Sequence, residues 1–224
     1  VGANNADLSA MSDDMTGYAS DAEFDAVWPT SDGTNLDPSA ANNQIECSIA
    51  NGVDGACYFD IGHTIQDDSV WTLIFSLATT ARGTGNKKYF IGLTDDTSNF
   101  TSSQAAVGLS YGSDNEILNP GAVAADPLDQ VGSAAFSVLG DATVRYFVVN
   151  GLGFGRFSFT MYDSLNLGKN YETETRTFTW SAVATNLRYI KIAAWSKVPG
   201  TACTFNVSNV MFAESDHPML IFNK

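Results

Sequence analysis

The chain has 224 residues, 44% of them hydrophobic, which is enough for one large core and is neither a disordered nor a fibrous composition. Its 25 acidic residues outnumber 11 Lys and Arg, a formal charge of -14, so its surface repels the phosphates of nucleic acids and of anionic membranes and argues against both as partners. No apolar run reaches the length a bilayer-spanning helix needs.

Residues 1–12 are small and polar and read as an N-terminal arm or a peripheral strand. The opening Val1-Gly2-Ala3-Asn4 reads as a processed terminus, which places the chain outside the cytoplasm. Residues 13–43 mix Asp, Gly, Asn and Pro with isolated aromatics and read as ordered loops with short strands. Gln44–Ile49 and Ala56–Ile61 flank a glycine-containing polar segment and predict a hairpin. Val70–Ala78 predicts the clearest strand, with Trp71, Leu73, Phe75 and Leu77 on one face. Lys87–Thr94 and Ala105–Tyr111 predict two more, and residues 112–135, broken by Pro120 and Pro127, predict a long loop that holds a short strand or covers an edge.

The second half is more regular. Val144–Val149, Arg156–Tyr162, Tyr171–Trp180, Leu187–Trp195 and Thr204–Phe212 each predict a strand, and Gly151–Gly155 predicts a turn. Phe157, Phe159 and Met161 share one face, while Tyr189, Lys191 and Trp195 fall opposite Ile190, Ile192 and Ala194. No helix and no βαβ unit is predicted. The whole reads as an all-β, two-sheet antiparallel jelly-roll sandwich, one domain over residues 13–213 with a C-terminal tail at 214–224.

Three cysteines allow two readings. Across the predicted hairpin Cys47 and Cys57 sit opposite one another and form a disulfide, with Cys203 left over as a buried thiol or itself the partner of one of them; alternatively all three are reduced and buried. Adjacent carboxylates suit a hard cation, and Asp95-Asp96, which ends a strand before a polar loop, and Asp114 with Glu116 are candidate calcium ligands. The competing role for each is turn capping. The aromatics expected to face outward are Tyr189 and Trp195, with Lys191 between them, and Tyr111 at a strand end; such rings stack on a sugar or anchor a protein contact.

The segments Ser12-Asp13-Asp14-Met15, Ala26-Val27-Trp28-Pro29-Thr30, Trp71-Thr72-Leu73-Ile74-Phe75, Tyr89-Phe90-Ile91-Gly92-Leu93-Thr94-Asp95 and Leu187-Arg188-Tyr189-Ile190-Lys191, closed by Phe205–Phe212, resemble the concanavalin A-like and laminin-G-like jelly rolls, in the version common in environmental microbial and viral surface proteins. The resemblance implies two curved antiparallel sheets, often with calcium at a loop edge, and a superfamily of lectins, carbohydrate-binding modules, glycoside hydrolases, adhesion modules and virion domains. The Glu-x-Asp-x-x-Glu strand of its hydrolases is missing here. Glu172 and Glu174 are the nearest approach, an i, i+2 pair followed by no third acid, and they remain outside candidates for a catalytic carboxylate pair. The leading expectation is therefore a non-catalytic recognition or adhesion module that binds glycan at a cell or virion surface. The alternatives are a structural or decoration subunit of a virion, filament or cell-surface layer, self-assembling as a homo-oligomer or docking on a surface protein, and a hydrolase or lyase with an unfamiliar site.

Overall fold

The computed structural model describes residues 10–30, 35–50, 52, 54–66, 68–81, 83–84, 87–98, 105–112, 117–123, 131–132, 142–162, 172–179, 186–196 and 199–215. These form fourteen strands and one short helix. In chain order they are β1 (Ala10–Asp13), α1 (Asp21–Val27), β2 (Leu36–Ser39), β3 (Gln44–Ile49), β4 (Asp54–Asp60), β5 (Val70–Ala81), β6 (Lys88–Thr94) and β7 (Ala106–Gly112). They continue with β8 (Ile117–Val123), β9 (Val131–Gly132), β10 (Arg145–Leu152), β11 (Arg156–Tyr162), β12 (Glu172–Thr179), β13 (Tyr189–Trp195) and β14 (Cys203–Ser215).

Two antiparallel sheets result. The eight-stranded sheet runs β12-β11-β10-β5-β14-β3-β2, with β1 paired to β14, and the six-stranded sheet runs β4-β13-β6-β7-β8-β9. This is the predicted all-β, two-sheet antiparallel sandwich of the jelly-roll, concanavalin A-like kind. β14 is the keel of the larger sheet. Along one edge it pairs with β5; along the other, Cys203–Val207 pair with β3 and Val210–Ala213 pair with β1. The register with β5 shifts between Ser208 and Met211, where Asn209 takes a positive φ of 52°, a left-handed conformation that Asn tolerates better than most residues.

Period-two alternation fills the space between the sheets. Leu73 and Phe75 of β5, with Phe157 and Phe159 of β11, are at most 5% exposed. From the smaller sheet Tyr89, Ile91 and Leu93 face them. Tyr89 ties the layers together: its ring stacks on Phe205 at 4.0 Å, and its hydroxyl shares a 2.9 Å hydrogen bond with Thr79 Oγ1.

Three expectations are corrected. β3 and β4 do not form a hairpin; they enter opposite sheets, β3 beside β14 and β4 beside β13. Cys47 and Cys57 are accordingly not cross-strand neighbours, and Cys47, Cys57 and Cys203 are all free, buried thiols. A helix does exist. Ser20 caps α1 by accepting a hydrogen bond from the Glu23 amide, and Glu23 Oε2 in turn accepts one from the Ala19 amide at 2.9 Å. This Ser-x-x-Glu spacing is a helix-start signal that the reading of residues 13–43 as loops passed over. Residues 112–135 do hold a strand, one of the two readings of that loop: β8 pairs with β7 along its length, with Pro120 opposite Leu109.

Candidate functional site

The outer face of the six-stranded sheet holds three of the residues singled out from the sequence, Tyr189, Lys191 and Trp195. Residues directly opposite across antiparallel strands share a face. Tyr189 of β13 therefore lies in one row with Asp60 of β4 and Thr94 of β6, Lys191 in the next with Tyr58 and Gly92, and Trp195 in a third with Asp54 and Lys88.

At the Tyr189 end the side chains converge. Arg188 donates to both carboxylate oxygens of Asp60, at 2.8 Å each, and its guanidinium sits 5.6 Å from the centre of the Tyr189 ring. Tyr58 meets Tyr189 edge to face, 5.7 Å between centroids. Arg188 and Asp60 keep about two-fifths of their side-chain surface in solvent, 40% and 41%, so the pair is presented rather than buried. The Arg188 hydrogen bonds hold the Asp60 carboxyl below its usual range, helped by the Gly62 amide, which donates to Asp60 Oδ1 at 2.8 Å. The result is two half-exposed rings beside a fixed fork of donors and a carboxylate with acceptor capacity to spare.

Lys191 departs from expectation. It shares the outer face with Tyr189 and Trp195, yet it has no solvent exposure. Its Nζ donates to the Ser98 backbone carbonyl at 2.7 Å. Burial pulls its ammonium down to about 8 against the opposing attraction of Asp96 and Asp95. It is a positioning group inside the structure, not a contact for a ligand arriving from solvent. Tyr111 is corrected as well: it is 1% exposed and stacks on Tyr89 at 4.8 Å, because Val107, Leu109 and Tyr111 form the inner face of β7.

Asp95 and Asp96 are occupied by protein groups. Asp95 Oδ1 accepts from the Ala105 amide at 2.9 Å, and burial raises its carboxyl. Asp96 accepts from the Ser98 amide at 2.7 Å and from the Ser98 hydroxyl at 2.9 Å. Among the described residues no three His, Cys, Asp or Glu side chains group as metal ligands would. Asp114 and Glu116 lie outside the described residues. Glu172 and Glu174 belong to edge strand β12, where their backbones pair with Tyr162 and Met161 across a register shift.

Trp195 is half-buried. Lys88 Nζ stands 5.5 Å over its ring, and it packs on an apolar cluster of Ala56, Phe90, Ala106 and Ala193 on the same outer face. Phe90 lies flat there because Gly92 and Gly108 make room; a Cβ on either would fall 2.8 Å from the tip of its ring. Tyr58, Asp60 and Arg188 were missed from the sequence. The alternation within β4 places Tyr58 and Asp60 opposite Cys57 and Phe59, so their face was legible, but their pairing with β13 was not.

No family model matches the chain, and no curated relative does. Solved structures do. The chain is similar to the carbohydrate recognition domain of Emp46p in its potassium-bound form, at 8% identity over 93% of this chain and 97% of that one, with a TM-score of 0.59. It is similar to the metal-free lectin I-B4 of Griffonia simplicifolia at 10% identity, 92% and 99% coverage and a TM-score of 0.58. It is also similar to the CBM2 module of the evolved Dit protein of Lactobacillus casei BL23 phage J-1, at 10% identity, 93% and 97% coverage and a TM-score of 0.54. At such identities the likeness is one of fold alone, the two-sheet jelly roll that these proteins share.

Proposed function

We propose that this chain, a jelly roll of that kind, is a non-catalytic carbohydrate-recognition module working at a cell or virion surface. The observation that carries the reading is the cluster Tyr58, Tyr189, Arg188 and Asp60. Sugar rings present an apolar face and a rim of hydroxyls. Half-exposed aromatic rings suit the first, and a guanidinium–carboxylate pair offers both donors and acceptors to the second. The surrounding charge of -14 favours a neutral glycan over a uronate or a sulfated one. Among the described residues no helix is long and apolar enough to cross a membrane.

A glycan array, read with the folded wild type and with Tyr189→Ala, tests this. We expect binding to neutral glycans that weakens about tenfold or more in the variant, the loss typical of truncating an aromatic anchor. The array is read in calcium and in chelator. Because Asp96 already accepts two hydrogen bonds from Ser98 and Asp95 one from Ala105, we expect the same glycans in both. Wild type and Tyr189→Ala binding equally would remove this cluster from the site.

A further inference from the structure

The chain that follows β6 turns back over the outer face of the sheet that carries the candidate glycan site. Asp95 closes its base: the Asp95 amide donates to the Ala105 carbonyl at 3.2 Å, and the Ala105 amide donates to Asp95 Oδ1 at 2.9 Å. The Asp96 amide donates to Thr94 Oγ1 at 3.0 Å, and that hydroxyl donates to the Asp96 carbonyl at 3.1 Å. Asp96 then bends the chain, accepting from the Ser98 amide at Oδ1 and from the Ser98 hydroxyl at Oδ2. A bond of far longer range, across 93 positions of sequence, comes from β13: Lys191 Nζ donates to the Ser98 carbonyl at 2.7 Å.

Adjacent carboxylates where a strand meets a polar loop suit a hard cation, but the oxygens here do not fit one. Calcium takes six to eight oxygen ligands. Both Asp96 oxygens and Asp95 Oδ1 already accept protein hydrogens, and the Ser98 carbonyl accepts from an ammonium. Lys191 has no solvent exposure, so its charge is met by protein groups, among them the Ser98 carbonyl and the attracting carboxylates of Asp96 and Asp95. A divalent ion placed among the same oxygens would face a fixed positive charge with little solvent to screen it.

We infer that Lys191 is the internal cation of this loop: its ammonium takes the place of a bound metal ion, fastens the segment Asp95–Ser98 to the sheet beside Tyr189, and makes the glycan site independent of divalent ions. The inference rests on the glycan reading above and concerns the same site. Thr94, which anchors Asp96, is directly opposite Tyr189 across the β6–β13 pair. The fastened segment therefore begins about one strand spacing, 4.8 Å, from Tyr189. The Thr94 carbonyl also accepts from the Arg188 amide at 2.8 Å. Movement of the segment is thus passed to Tyr189 and to the residue that holds Asp60. Lys191 meets no ligand; it acts through the segment and is a positioning residue.

Hydrogen–deuterium exchange of single amides, read by NMR, tests the fastening without a ligand. Lys191→Met keeps most of the apolar stem and drops the charge. In it the Asp96 and Ala105 amides should exchange about tenfold faster or more, while Ile91 and Ile192 in the strand ladder keep wild-type rates. Thermal unfolding alone would miss this, because a buried ammonium costs the folded state and its loss need not lower Tm. Binding of Lys191→Met to the neutral glycans that wild type selects should weaken several-fold. For wild type, millimolar calcium in place of chelator should change neither these exchange rates nor Tm, whereas a structural calcium would raise Tm by several degrees. That measurement needs no variant to fold. Calcium that slows Asp96 exchange or raises Tm in wild type, or wild-type exchange in Lys191→Met, overturns the inference and leaves the glycan reading standing. Faster exchange in a variant that binds glycan like wild type overturns the tie between segment and site. Faster exchange in the variant, with a folded wild type that binds no glycan, keeps the fastening and overturns the glycan reading.

Discussion

Asp13 gathers three donors on one carboxylate: the Trp28 indole at 2.8 Å, the Tyr18 hydroxyl at 2.6 Å and the Met15 amide at 2.7 Å. Trp28 is fully buried, so removing its acceptor leaves an indole N–H unpaired inside the protein. Asp13→Ala should therefore destabilise by roughly 2–4 kcal/mol in urea unfolding, while Asp14→Ala, whose carboxylate meets only exposed Thr16, should stay within about 0.5 kcal/mol. Lys191 gives a pH signature. Folded, it ionises at about 8; in the unfolded chain, at about 10.4. Between those values the unfolded chain binds more protons, so this residue's contribution rises with pH across that window and is least favourable below it. The buried thiols Cys57 and Cys203, both pushed up by burial, act in the opposite sense, because the native state keeps protons that unfolded thiols lose. Comparing wild type with Lys191→Met cancels the thiols. The stability difference should move in favour of wild type by about 2–3 kcal/mol between pH 7.5 and 10.5; a flat difference would mean the ammonium is not desolvated.

At the scale of elements, β6 and β7 meet through a facing pair of glycines with no room for a side chain. Gly92 and Gly108 are opposite one another, and a Cβ on Gly108 would fall 2.3 Å from the Ile91 carbonyl oxygen. Gly108→Ala has to part the strands and should cost on the order of 3 kcal/mol. Gly52→Ala meets nothing within 4 Å and suffers only from its φ of 80°, so it should cost about 1 kcal/mol. Urea midpoints of the two variants check the contrast; equal losses would mean that the close approach of β6 and β7 is not limiting. The strands themselves were largely legible. β5, β11 and β13 stand within a few residues of where alternation put them, and their inward faces are the predicted ones. Legibility failed where the signal was not alternation. α1 is seven residues long, too short for a helical hydrophobic period, and only its Ser20–Glu23 cap marked it. β8 was legible only as a short strand somewhere in residues 112–135, because Pro120 argues against a strand at its own position.

For the whole molecule, two sheets on either side of one core leave all three thiols in apolar surroundings, at most 3% exposed. A thiol reagent should modify none of Cys47, Cys57 and Cys203 in the native protein and all three in denaturant without prior reduction. Finding one reactive thiol in denaturant would restore the disulfide. The same layering sets the candidate site apart. Every aromatic on an inner face serves the core, as Tyr89 and Tyr111 do; only rings on an outer face, such as Tyr58 and Tyr189, remain for a ligand.

The amino-acid order by itself determined the strand period, the all-β class and the inward faces of Trp71, Leu73, Phe75, Phe157 and Phe159, because alternation belongs to each strand alone and survives without knowledge of its neighbours. Tertiary structure decided what alternation leaves open. It sent β3 and β4 to different sheets, covered Lys191 with the Ser98 carbonyl, turned Tyr111 inward and brought Arg188 to Asp60 across 128 positions of sequence. The physical reason is range: a side chain's face follows from its own backbone, whereas its exposure, its partners and the fate of its charge follow from whichever distant segment packs against it.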